Sequence, residues 1–142
     1  MQTIRKYQEI NINTASPMEL IIMLYDDGIR SLEKAEKAFE IEGPERIENI
    51  NNHLLHAQDI ITELAVSLDM EKGGAIAQNL QKLYDFMVNH LSNANVNKVV
   101  KPVTEVKTMM SELREAWREI AAKEEPRETV QASTVSNIHI AG

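Results

Sequence analysis

The sequence predicts an all-α fold, an antiparallel up-down four-helix bundle, on three observations. Apolar residues recur at spacings of three and four through four successive segments, glycine and proline fall mainly between those segments, and aromatic residues are scarce. An all-β sandwich needs closely spaced turns and stiff, bulky strand residues. Five glycines, four prolines and 4% aromatic residues supply too few of both. A chain of 142 residues has room for one domain with a single buried core.

The first helix begins at Ser16-Pro17. Serine caps free amides, proline fits the first helical turn, and Glu19 stands three residues after Ser16 as in a capping box. This helix is predicted to run from Pro17 to about Ile41, where Gly43-Pro44 stops it and starts the next. The second carries a seam at Ile47, Ile50, Leu54, Ala57, Ile61, Leu64 and Leu68. Gly73-Gly74 breaks that pattern as a turn. A third stripe follows at Ile76, Leu80, Leu83, Met87, Leu91 and Ala94, and a fourth, after the polar stretch Asn95 to Lys98, at Val99, Val103, Val106, Met110, Leu113, Trp117 and Ile120. Pro102 fits only the opening turn of that last helix. Long helices with short connections place sequence neighbours antiparallel. The expected organisation is an N-terminal cap segment over 1–16, the bundle over 17–123 and a flexible polar tail over 124–142. Val135, Ile138 and Ile140 in that tail form either a short docking motif or part of a disordered end.

Composition narrows the function classes. There is no cysteine, so disulfides, thiolate metal sites and a cysteine nucleophile are excluded, and a reducing compartment is compatible. No apolar run follows the first basic residues and no stretch of 18 apolar residues occurs, so the chain is expected to be cytoplasmic, with no membrane insertion. Fifteen Lys and Arg against 22 Asp and Glu give a formal charge of -7. That balance repels nucleic acid and anionic lipid and leaves polypeptides as the favoured partners.

More apolar surface is present than four seams need. On the first helix the core face is Ile21, Tyr25, Gly28, Leu32 and Phe39. Met23 points away from it and Leu20 lies well off it. On the second helix Leu55 and Val66 lie opposite the seam with Thr62 between them. Periodicity leaves two arrangements open. The N-terminal segment, through Ile4, Tyr7, Ile10 and Ile12, folds over these side chains and completes an ordinary core, or they line a groove for an amphipathic helix. A short cap that is inexpensive to displace satisfies both.

Residues for chemistry are sparse. His53 and His56 are three apart on one helix, but no Glu-x-x-His pairs recur as a di-iron bundle requires. A histidine phosphotransfer domain needs an exposed histidine in a basic, glycine-bearing setting, which His53 to Asp59 does not provide. No phosphate-cradling loop, nucleophile elbow or cofactor fingerprint occurs, so no cofactor, no metal and no enzymatic activity are expected.

Several segments, taken together, resemble the FliS family of flagellar export chaperones. They are Tyr7-Gln8, Asn13 to Pro17 with Glu19-Leu20, Met23 to Asp26, Ala57 to Ile61 with Glu63-Leu64, and Ser67 to Gly74. Asn79-Leu80, Leu83 to Met87, Ala94-Asn95 and Glu112 to Trp117 complete the set. They span roughly residues 4 to 120. Ser31 stands where an aromatic is common, and Asn89-His90 where two arginines often occur.

The resemblance implies a bundle that binds the disordered C-terminal segment of flagellin, prevents premature polymerisation and aids delivery to the flagellar type III export gate. It also implies a movable N-terminal cap, with Ile4, Tyr7 and Ile10 as the matching residues. The expected client-binding set is therefore Ile4, Tyr7, Ile10, Leu20, Met23, Leu55, Thr62 and Val66, on a protein that is largely monomeric when free. The rivals are a self-associating helical bundle and a histidine phosphotransfer domain.

Overall fold

The computed structural model describes residues 16–124, and these form four helices: α1 (Pro17–Glu40), α2 (Arg46–Val66), α3 (Met70–Asn97) and α4 (Lys101–Glu124). The all-α bundle predicted from periodicity is the fold observed. Residues 1–15 and 125–142, which include Ile4, Tyr7, Ile10 and the Val135 to Ile140 motif, lie outside the described residues.

Side-chain caps satisfy free amides at the starts of α1 and α3. The Ser16 hydroxyl accepts from the Glu19 amide at 3.1 Å, and the Glu19 carboxylate accepts from the Ser16 amide at 3.2 Å, so the capping box is complete. α2 has no side-chain cap. Its first residue, Arg46, instead donates back to the Phe39 carbonyl at 3.1 and 3.3 Å and lies 5.7 Å above the Phe39 ring, which fastens the α1–α2 corner. α3 is capped by Asp69, whose carboxylate accepts from the Lys72 amide at 3.0 Å.

The turn expected at Gly73-Gly74 is instead a kink inside α3. The chain turns earlier, over residues 67–69, because Asp69 caps a first helical turn, and Gly74 then departs from helix at φ 54° and ψ -129°, a conformation open to glycine. Pro102 sits in the opening turn of α4, as predicted.

Cross-helix contacts fix the direction of each pair. Between α1 and α2, Asp27 meets His56 and Ser31 meets His53, so one number rises as the other falls. Asp26 with Arg114 and Glu36 with Lys107 give the same order for α1 and α4. Gln58 with Val88 and Asn51 with Asn95 give it for α2 and α3. The helices pack in a ring, each against its sequence neighbour and α4 against α1.

The core runs along the ring's axis. Leu24, Tyr25 and Leu32 meet Ile50, Leu54, Ile61, Met87, Leu91, Val106 and Met110, all fully buried. Gly28 lets three helices approach: a Cβ there would stand 2.8 Å from the Met110 Cε and 3.2 Å from the Ile60 Cγ2. The buried Tyr25, Tyr84 and Ser31 hydroxyls are each paired. The Tyr25 and Tyr84 hydroxyls are 2.6 Å apart, and Ser31 donates to the His53 carbonyl at 2.7 Å.

The seams differ from the prediction at their ends. Ile47 and Ile120 are exposed near helix ends, Ile76 lies beside the kink, and Val99 falls in the α3–α4 connection ahead of α4. Tyr84, outside the predicted stripe, is buried.

Candidate functional site

The two flanks of α2 are different. On the side toward α1, the Ser31 hydroxyl meets the His53 carbonyl, Asp27 meets His56, and Gly28 lets Ile60 approach the α1 backbone closely. On the side toward α3 the helices separate and leave an open groove of about 410 Å³. Ile61, Ala65 and Val66 form its α2 wall, and Tyr84 and Val88 form the α3 wall. Thr62, Gln81, Asp85 and Asn89 give it a polar rim.

One end of the groove is closed. The Gln58 amide donates across the seam to the Val88 carbonyl at 2.9 Å and to the Ser92 hydroxyl at 2.8 Å. The other end opens toward the α2–α3 connection, where Val66 is 58% exposed. Beneath the groove Tyr84 is held in place by its hydroxyl contact with Tyr25. Burial pushes both phenols above the usual tyrosine range, so each stays protonated and able to hydrogen-bond.

Of the residues predicted from the sequence, Thr62 and Val66 line this groove. Leu55 lies on the same edge of α2 and is 46% exposed, but it sits beyond the Gln58 bridge and does not line the cavity. Leu20 and Met23 are only half-buried, so apolar surface is left over on α1 too. They are not brought to the groove: they lie one and two turns before Asp27, on the α1 edge that faces the opposite flank of α2. The predicted set therefore divides between two flanks of one helix.

Sequence reasoning missed the α3 wall. Gln81, Asp85, Val88 and Asn89 follow one another at spacings of four, three and one beside the third seam, a second stripe that was open to the same reading as that of α2.

A second concavity, of about 290 Å³, lies at the α1–α2 corner and mixes Lys34, Lys37 and Arg46 with Glu42 and Glu45. His53 borders it. Burial, with the charges of Lys34 and His56 nearby, holds this imidazole below its usual pKa, so it is neutral at pH 7. His56 instead pairs with Asp27 at 3.3 Å. Among the described residues no three His, Asp or Glu side chains converge as a metal ion would need, and no helix is long and apolar enough to cross a membrane.

The class these features define is a four-helix bundle with an open groove, part apolar and part polar, along one flank of its second helix. Comparison with known proteins gives the family. The family described as flagellar protein FliS matches residues 1–124. The flagellar secretion chaperone FliS of Salmonella typhimurium is 35% identical over 125 residues, covering 84% of this chain and 90% of that protein. That of Bacillus subtilis is 31% identical over 118 residues, covering 83% and 85%. That of Vibrio cholerae is 33% identical over 122 residues, covering 83% and 88%. The chain belongs to the FliS family of flagellar secretion chaperones.

Proposed function

We propose that the chain is a cytoplasmic export chaperone that binds the disordered C-terminal segment of flagellin, keeps it from polymerising prematurely and aids its delivery to the flagellar type III export gate. The observation that carries this reading is the open groove between α2 and α3, whose apolar strip at Ala65, Val66 and Val88, inside a polar rim, the described bundle leaves uncovered. Amphipathic helices dock in such grooves through residues spaced three and four apart, and a disordered segment gains the cover it lacks by folding there. The work is binding and release, with no bond made or broken, so the chain is not an enzyme.

Ordering a disordered client costs about 2 to 5 kcal/mol, which a single small pocket does not offset. The interface is therefore extended, on the order of 2,000 Å². Exposed Leu55, beyond the Gln58 bridge on the same edge of α2, extends that surface, and half-buried Leu20 and Met23 on α1 add a separate apolar patch on the opposite flank of α2. The N-terminal segment, with Ile4, Tyr7 and Ile10, acts as a displaceable cap over part of it. The free protein is largely monomeric and forms a one-to-one complex.

Titration calorimetry of full-length flagellin and of flagellin lacking its C-terminal segment tests this. Saturable one-to-one binding is expected for the first and its loss for the second. Undiminished binding of the truncated client sinks the reading. Light scattering over a range of concentrations separates the monomer from the self-associating bundle.

A further inference from the structure

The groove has a length, a floor and a charge, and the three together describe what fits it. Along α3 its lining runs from Gln81 to Asn89. Eight helical steps span about 12 Å, room for roughly two turns of a docked helix. The Gln58 bridge to Val88 and Ser92 stops a longer helix on one side. Ile61 and Tyr84 lie at its base, almost fully buried, and the accessible apolar lining is left to Ala65, Val66 and Val88, a narrow strip that suits small aliphatic side chains at spacings of three and four.

Charge is the third property. Asp85 is the one charged side chain among the described residues lining the groove, and it is exposed at the rim. Its Oδ1 accepts from the Gln81 amide at 3.2 Å, four residues earlier on the same helix, which orients the carboxylate and leaves its other oxygen for a partner. Asp59 is exposed on α2, which carries no Lys or Arg anywhere from Ile47 to Val66, and on α3 the exposed Lys82, next to Gln81, does not line the groove. An anionic client segment meets repulsion here. A cationic one meets an oriented acceptor at the edge of an apolar site, where a pair is screened less than in open water.

We propose, on the reading that this groove takes the client, that it selects a two-turn amphipathic helix with small aliphatic anchors and a flanking lysine or arginine that pairs with Asp85 and fixes the register of docking. The pair acts as a selector more than as a source of affinity, because the apolar contacts are unchanged whichever charge stands beside them.

The test uses the full chain and a synthetic peptide of the flagellin C-terminal segment, read by calorimetry at about 50 and about 500 mM salt, a range over which the Debye length shrinks severalfold. Asp85→Asn is expected to weaken binding about threefold and Asp85→Lys about tenfold at low salt, with both differences closing at high salt. Replacing each Lys and Arg of the peptide by Glu in turn is expected to yield one peptide that binds Asp85→Lys better than it binds the parent protein. Val66→Arg, which fills the groove, is expected to abolish docking there. Both side chains are exposed, so these variants keep the fold, which far-UV circular dichroism checks. If Val66→Arg abolishes binding while Asp85→Lys binds as the parent does, the charge selection is overturned and the groove reading stands. If Val66→Arg binds as the parent does, the groove is not the client site and both fall. A client segment with no Lys or Arg in its docked turns also overturns the proposal.

Discussion

The seam between α1 and α4 and the seam between α2 and α3 are built from the same helix geometry but closed by different chemistry. Across α1–α4 the contacts are ionic. Arg114 and Arg118 reach Asp26 at 3.1 and 3.4 Å, and Lys107 and Thr104 reach Glu36 at 2.7 and 2.6 Å. Across α2–α3 they are neutral: Gln58 to Val88 and Ser92, and Asn95 to Asn51. Long charged side chains lie over the first seam and cover its apolar stripe. Short amides pin the second at Gln58 and at Asn51, and between the Gln58 pin and the α2–α3 connection the groove stays open. The difference separates a seam that serves stability from one that leaves surface for a partner.

Substitutions break this comparison with graded effects. Tyr84 joins the two functions, since its ring floors the groove and its hydroxyl meets Tyr25 in the core. Tyr84→Ala is expected to destabilise the fold by about 3 to 5 kcal/mol, read as a fall in the urea midpoint, and to weaken client binding. Tyr84→Phe keeps the floor and removes the hydroxyl pair. A loss of about 1 to 2 kcal/mol with client affinity retained is expected, and lost affinity would show that the hydroxyl itself contacts the client.

Gly28→Val tests the close approach of α1, α2 and α4, distant from the groove. Overpacking against Ile60 and Met110 is expected to cost about 1 to 3 kcal/mol by chemical denaturation. Arg114→Ala, on the ionic seam, is expected to cost about 1 kcal/mol and leave client binding unchanged. An equal loss of binding would contradict the division of labour between the seams.

The smallest effect is on pH dependence. Burial alone would raise the Glu36 carboxyl, but the hydrogen bonds from Lys107 and Thr104 and the Lys107 charge outweigh it and hold the pKa below the usual carboxylate value. The unfolded chain therefore binds the proton more readily. The stability from this group is fully present above the unfolded carboxylate pKa, about 4.3, and is lost as pH falls through the lower folded value. The difference in urea midpoint between the parent and Glu36→Gln is expected to shrink as pH drops from about 6 to about 3.

The bundle was legible because its core is periodic: Ile50, Leu54, Ala57, Ile61 and Leu64 repeat at three and four, and a helix with that stripe buries it whatever its neighbours are. The capping box at Ser16 and Glu19 was equally legible, being a local pairing over three residues. Less legible was whatever depends on residues far apart. Tyr84 is buried because Tyr25, 59 positions earlier, receives its hydroxyl. Ile47, near the start of α2, is 62% exposed although it continues the α2 seam. The surplus stripe of Leu55, Thr62 and Val66 was visible on a helical wheel. Which helix formed the opposite wall was not, so Leu20 and Met23 were grouped with residues from which α2 itself divides them.

Backbone NMR shifts of the full chain, recorded with and without a flagellin C-terminal peptide, test the central claim most directly. The account predicts the largest changes at Ile61, Thr62, Ala65, Val66, Val88 and Asn89, with Glu36, Lys107 and the rest of the ionic seam nearly still. Changes centred on the α1–α4 seam, with the groove residues unmoved, would contradict it.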